Sequence, residues 1–313
     1  MADNGNWERD VLEKLVMASV KEQRKTRNWG IFFKILGFSY LFLILYLMLG
    51  HSSGRSEKMA HGGKHTAVVE LQGVIAAGKA ASAESINESL RDAFKDKNTK
   101  GVILRINSPG GSPVQSGMIN DEIRRLRAQY PNIPLYAVVD DICASGGYYV
   151  AVAADKIYVD KASLIGSIGV LMDGFGFTGT MEKLGIERRL LTAGENKGFM
   201  DPFSPMNPVQ REHAQKMLAD IHQQFIGVVK AGRGKRLHDT PELFTGLIWN
   251  GEQGVKLGLA DALGSVDSVA RDVIKAEELV DFTQREGFAD RLAKGLGAGA
   301  ASQVQSWFGL QMR

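Results

Sequence analysis

Beyond residue 66 the chain alternates short β-branched runs with stretches of helical period, and this alternation narrows the possible folds most. The runs at 67–72, 101–107, 135–140, 156–159 and 188–192 read as strands, and those at 83–94, 114–128, 145–154, 208–230 and 265–275 as helices. Strands and helices that take turns in this way specify an α/β fold with a largely parallel sheet. In open sheets of that class, ligands meet the protein at the carboxyl ends of strands, where chain turns into helix. Motifs are therefore sought there.

The N-terminal part follows other rules. Trp7, Val11, Leu15 and Val16 recur at three- and four-residue steps among charges, so 7–28 reads as an amphipathic helix. The run from 31 to 49, IFFKILGFSYLFLILYLML, holds one charge, Lys34, near its start, and approaches the ~20 residues that cross a bilayer core. A cleavable signal peptide is the competing reading; the long polar lead and the lack of an Ala-x-Ala site favour a retained anchor. Arg24, Lys25, Arg27 and Lys34 crowd its N-terminal flank, so the N-terminus is expected in the cytoplasm and the bulk of the chain outside. The polar stretch 51–65, with His51, His61 and His65, reads as a flexible, solvated tether and not as a metal site. The expected organisation is a cytoplasmic segment at 1–30, one transmembrane helix at 31–50, the linker at 51–65, a folded domain at 66–280 and a tail at 281–313.

Composition limits the function. Thirty-eight basic against 35 acidic residues leave a formal charge of +3, too little to imply nucleic acid as a partner. The single cysteine, Cys143, excludes an internal disulfide and a thiolate-only metal cluster, and suits a small core position.

Two strand-to-helix turns carry the chemical signals. In Asn107-Ser-Pro-Gly-Gly111-Ser-Pro113, glycines can take positive φ and bring free N–H groups to a negative oxygen. The same turn could equally be a tight connection without a ligand. In Asp140-Asp-Ile-Cys-Ala-Ser145-Gly-Gly147, Ser145 stands at the head of an apolar helix, where it is either an N-cap or a hydroxyl left open by its small neighbours, with the Gly146 N–H beside it. A serine nucleophile needs a base. His213 and His222 sit on a charged helix and His238 in a basic loop, so all three read as surface residues. Lys197, followed by Gly198, Phe199, Met200 and Phe203, is the alternative, since a lysine amine acts as a base where desolvation favours its neutral form.

Taken together, Asn107-Ser-Pro-Gly-Gly111, Ala144-Ser-Gly-Gly-Tyr-Tyr149, Gly166-Ser-Ile-Gly-Val170 and Lys197-Gly198 closely resemble the signal peptide peptidase A family, also called protease IV. Ser167 follows Ser145 by 22 residues and Lys197 by 52, the spacing of the family's single-domain members, and the likeness spans about 66–280. It implies a fold like that of the ClpP and crotonase superfamily, built of repeated βαβ units. It also implies that Ser145 is the nucleophile, Lys197 the general base and Ser167 the residue orienting the amine, with Gly111 and Gly146 N–H groups as the oxyanion hole. No metal or cofactor is needed. The expected partners are peptides, above all cleaved signal peptides, the membrane, and further copies in a ring or dome whose sites take Lys197 from a neighbour. The bacterial cytoplasmic membrane is the expected location. Two alternatives stand beside this reading: a crotonase-like acyl-CoA enzyme, which would want a catalytic carboxylate near the second glycine turn, and a non-catalytic membrane scaffold.

Overall fold

The computed structural model describes residues 4–51, 63–238 and 240–285, in two units that are treated separately. The first holds one uninterrupted helix, α1 (Asn4–His51). No break separates the amphipathic segment from the apolar run. Among the described residues no helix is long and apolar enough to cross a membrane. Most of the linker and the tail from 286 lie outside the described residues.

The second unit is the α/β body. Its sheet has the order β6 (Ile248–Asn250), β5 (Leu164–Gly166), β3 (Leu135–Ala144), β2 (Thr99–Ser108), β1 (His65–Gln72), β8 (Leu279–Asp281). Off this path, β4 (Lys156–Val159) pairs with β3 and with β7 (Ala262–Leu263). All pairs are parallel except β5 with β6.

Helices α2 (Ala83–Lys95) and α3 (Pro113–Gln129) make the crossovers β1–α2–β2 and β2–α3–β3. Each starts on a serine cap: Ser82 accepts from the Ser85 N–H and Ser112 from the Gln115 N–H, with Pro113 at the first turn of α3. Their apolar faces, Ile86, Leu90 and Phe94 on α2 and Ile119, Ile123 and Leu126 on α3, are buried in the core that contains Val69, Leu104 and Ala137 of the sheet. A smaller core of Ile103, Val138, Tyr158, Val269 and Ala270 joins the sheet to a π-helical turn at Val269–Ile274. That turn and the short α8 (Val266–Ser268) stand where one helix over 265–275 is expected.

Three expectations change. His65 is no tether residue: it opens β1, is 2% exposed, faces the Thr99 hydroxyl at 3.3 Å and stacks on Phe282. The chain at 188–192 forms no strand, because no neighbouring backbone pairs with it, and Leu191 is 96% exposed. β3 continues past Asp140 to Ala144, its register with β2 jumping from Ile106↔Val139 to Ser108↔Cys143.

Candidate active site

β3 delivers Ser145. Its last residue, Ala144, pairs with Gly166, the last of β5, so Ser145 and Ser167 leave adjacent parallel strands side by side, about 5 Å apart across the sheet. The Ser145 N–H donates to the Gly166 carbonyl (2.8 Å) and the Ser167 N–H to the Leu247 carbonyl (2.8 Å). Both serines hold positive φ, 52° and 51°. For a residue with a Cβ that conformation costs about 1–3 kcal/mol and persists only where the surroundings enforce it. Ser145 heads α4 (Gly146–Ala151) yet makes no capping hydrogen bond with its side chain. The N-cap alternative therefore fails, and the hydroxyl is free for other work.

The first glycine turn lies against the second. A methyl group on Gly110 would sit 2.7 Å from the Gly146 nitrogen, and one on Gly146 would sit 3.2 Å from the Gly111 nitrogen and 2.5 Å from the Ser116 Oγ. Gly111, at φ 146°, runs so close to Ile75 that a methyl group would come within 2.2 Å of its carbonyl oxygen. Only glycine fits. Among the described residues neither the Gly111 nor the Gly146 N–H donates to a protein acceptor. Two unspent donors thus flank an uncapped serine hydroxyl, the arrangement that holds a tetrahedral oxyanion.

Lys197 lies exposed in a turn, where its N–H donates to the Gly194 carbonyl (3.0 Å), and among the described residues no hydrogen bond links its amine to Ser145 or Ser167. Comparison with known proteins decides the family. The model of peptidase family S49 matches residues 127–281. A putative protease of Methanocaldococcus jannaschii is 33% identical over 220 residues, covering 67% of this chain and 70% of that one. The chain belongs to peptidase family S49. A putative signal peptide peptidase SppA of Enterococcus faecium is 32% identical, over 71% of this chain and 64% of that one. A protein named Na(+)/H(+) antiporter NhaA in Brucella melitensis is 39% identical over 75% of this chain, which spans only 33% of that protein's length. Among solved structures, a point mutant of ClpP1 from Listeria monocytogenes aligns with 63% of this chain and 91% of its own, at a TM-score of 0.40 and 14% identity.

Further hydrogen bonds hold the elements of this candidate site in place. The buried Ser108 hydroxyl donates to the Gly73 carbonyl (2.7 Å) and accepts from the Gly110 N–H (3.1 Å), pinning the first glycine turn. Ser108 sits inside the Asn-Ser-Pro-Gly-Gly motif, and that was the available signal. Buried Asn120 on α3 donates to the Tyr149 carbonyl (2.7 Å) and so fixes α4. The Tyr148 hydroxyl donates to the Leu259 carbonyl (2.8 Å), and burial pushes its pKa up, keeping it a donor. Beside it, burial would raise Asp261, but hydrogen bonds from Arg233 and the Ile157 N–H outweigh that and hold the carboxyl below its ordinary range. Burial pushes the Cys143 thiol up, so it stays protonated as a core filler.

His222 requires a correction. It is not a solvated surface residue: it lies on α6 (Pro208–Arg233), is half-buried, and places Nε2 3.1 Å from the Ile168 carbonyl oxygen, one residue beyond Ser167. Its helical neighbours Arg211, Glu212 and Lys216 are charged, which hid this role in the sequence.

Proposed function

We propose that this chain is a membrane-anchored serine endopeptidase with a serine–lysine dyad, acting on released signal peptides and other membrane-associated peptides outside the cytoplasmic membrane. The observation that carries the reading is the uncapped Ser145 hydroxyl at positive φ, flanked by the unspent Gly111 and Gly146 N–H groups. The neutral Lys197 amine takes the Ser145 hydroxyl proton as Oγ attacks the peptide carbonyl carbon. The carbonyl oxygen becomes an oxyanion between the two N–H groups. When the intermediate collapses, the C–N bond breaks, the ammonium returns its proton to the leaving nitrogen, and an acyl ester remains on Ser145. The amine then takes a proton from water as the water oxygen attacks the ester carbon, and returns it to Oγ when the C–Oγ bond breaks, which releases the acid and restores the neutral amine and the serine hydroxyl. Ser167 orients the amine.

A lysine from a neighbouring copy fits this chain better than its own. Gln210, in the first turn of α6, accepts from the Met200 N–H and donates to the Asn196 side chain, and so holds the Lys197 turn. His222 holds the Ser167 segment from the same helix, twelve residues on, which is about 18 Å. A lysine side chain reaches only about 6 Å from its Cα. The segment carrying Lys197 also exposes Leu171, Phe175, Leu184 and Leu191 at 79%, 79%, 68% and 96%, apolar surface of the kind that another subunit covers. Anchoring rests on the apolar run at 31–49 with its basic N-terminal flank.

The deciding experiment mixes two inactive variants of the full chain in detergent. Ser145→Ala and Lys197→Ala are each expected to lose hydrolysis of a synthetic signal peptide, and co-assembly is expected to restore part of it, because some interfaces pair an intact serine with an intact lysine. Turnover that survives in either variant alone would refute the dyad. Restoration absent from assemblies proven to be mixed would refute the shared site.

A further inference from the structure

We infer that α6 is the aligning element of the nucleophile half of the site, and that His222 is a positioning residue which holds Ser167 in place through the Ile168 carbonyl. The inference rests on the serine–lysine reading above but adds a residue that it does not use.

The argument begins where α6 is fixed. Its second half is seated on α4, the helix that Ser145 heads. Phe225, 4% exposed, packs 5.2 Å from the ring of Tyr149 at a tilt of 45°; Val229 is fully buried; and Gly232 lies so close to Val152 that a methyl group would come within 2.2 Å of the Val152 carbonyl oxygen. Residues three and four apart share a helix face. His222, three residues before Phe225, therefore projects on the side that faces α4 and the strand ends. There its ring meets the Ile168 carbonyl at 3.1 Å.

The position of that contact gives it consequence. Ile168 is buried, Ser167 before it is at φ 51°, and the chain beyond runs exposed and without regular structure through 171–177. The Ser167 backbone is tied on one side by its own N–H to Leu247. On the other side, its carbonyl accepts from the Gly169 N–H (2.9 Å), and the imidazole N–H fixes the next peptide plane through the Ile168 carbonyl, which holds a residue in a disfavoured conformation on the strand end beside Ser145. A donor is needed there, not a charge, so a neutral amide should serve.

The test compares His222→Leu with His222→Gln, which keeps a side-chain N–H at a similar reach. Full-length protein in detergent is assayed on a synthetic signal peptide, with Ser145→Ala alongside. Loss of one hydrogen bond of this kind predicts a kcat about tenfold lower in His222→Leu with KM within about twofold, and His222→Gln within about threefold of the unaltered enzyme. Both variants should melt within about 3 °C of one another. An unchanged kcat in His222→Leu, a glutamine variant as poor as the leucine one, or a loss that falls on KM would each overturn the inference while Ser145→Ala stays inert. Turnover by Ser145→Ala would bring down the dyad reading and this inference with it.

Discussion

The stretch from Ser108 to Ser167 and the stretch from Val170 to Met206 stand in sharp contrast. In the first, strand ends, two glycine turns and two serines at positive φ are pinned by hydrogen bonds to Gly73, Gly166 and Leu247 and packed on a buried core. In the second, one six-residue helix, α5 (Thr178–Lys183), and a series of turns carry large apolar side chains into solvent. Both glycine turns and both serines come together within one copy of the chain. Among the described residues nothing covers the apolar side chains of the segment that carries Lys197. On the proposed mechanism, the turns that must be in place before substrate arrives are held by core packing, whereas the base comes from a neighbouring copy.

That contrast can be broken experimentally, most strongly at Ser145 and Lys197, on which the proposed function rests. Ser145→Ala and Lys197→Ala should each lower kcat by more than about a thousandfold, with folding unaffected, as for removal of a nucleophile or its base. Only the lysine variant should be complemented by a copy that lacks the serine. Next comes Gly146→Ala, whose methyl group would meet the Ser116 Oγ at 2.5 Å and shift the N–H. A loss of about a hundredfold in kcat is expected, the usual effect of misplacing one oxyanion donor. By contrast, Gly179→Ala in the exposed segment meets nothing within 4 Å and should leave activity intact. An effect there as large as at Gly146 would erase the distinction between the two regions.

A smaller effect is expected in the body. Hydrogen bonds from Arg125, and then Arg91, outweigh burial and hold the Glu122 carboxyl at about 2, well under its ordinary 4.5. A carboxyl lowered on folding stabilises the protein above pH 4.5, and that contribution fades as pH falls toward 2. Glu122→Gln should therefore lower unfolding free energy by about 2 kcal/mol at pH 7, with the difference from the unaltered protein closing in acid. Denaturant titrations at several pH values would measure it. Smallest is Ser145→Gly, which removes a Cβ from a φ of 52° and should raise stability by about 1 kcal/mol while abolishing turnover. A loss of stability would show that the serine conformation is not strained.

Much of the site was legible because its residues are adjacent in sequence to the turns that define them. Asn107 to Gly111 and Ala144 to Gly147 mark strand-to-helix turns by composition alone, and the caps Ser82, Ser112 and Asn207, the last two followed by Pro113 and Pro208, fix where α2, α3 and α6 begin. The apolar run at 31–49 is equally a property of the sequence.

What composition could not decide were the relations between distant segments. That Ser145 and Ser167 stand together follows from the pairing of Ala144 with Gly166, two residues that lie far apart in sequence. The burial of His65 and the half-burial of His222 likewise depend on what packs against them, since histidine among charged neighbours reads the same in solvent as against a carbonyl. The physical reason is that turn and cap preferences act over three or four residues, while orientation of a catalytic group is set by contacts across the sheet, whose partners the chain brings together only when it folds.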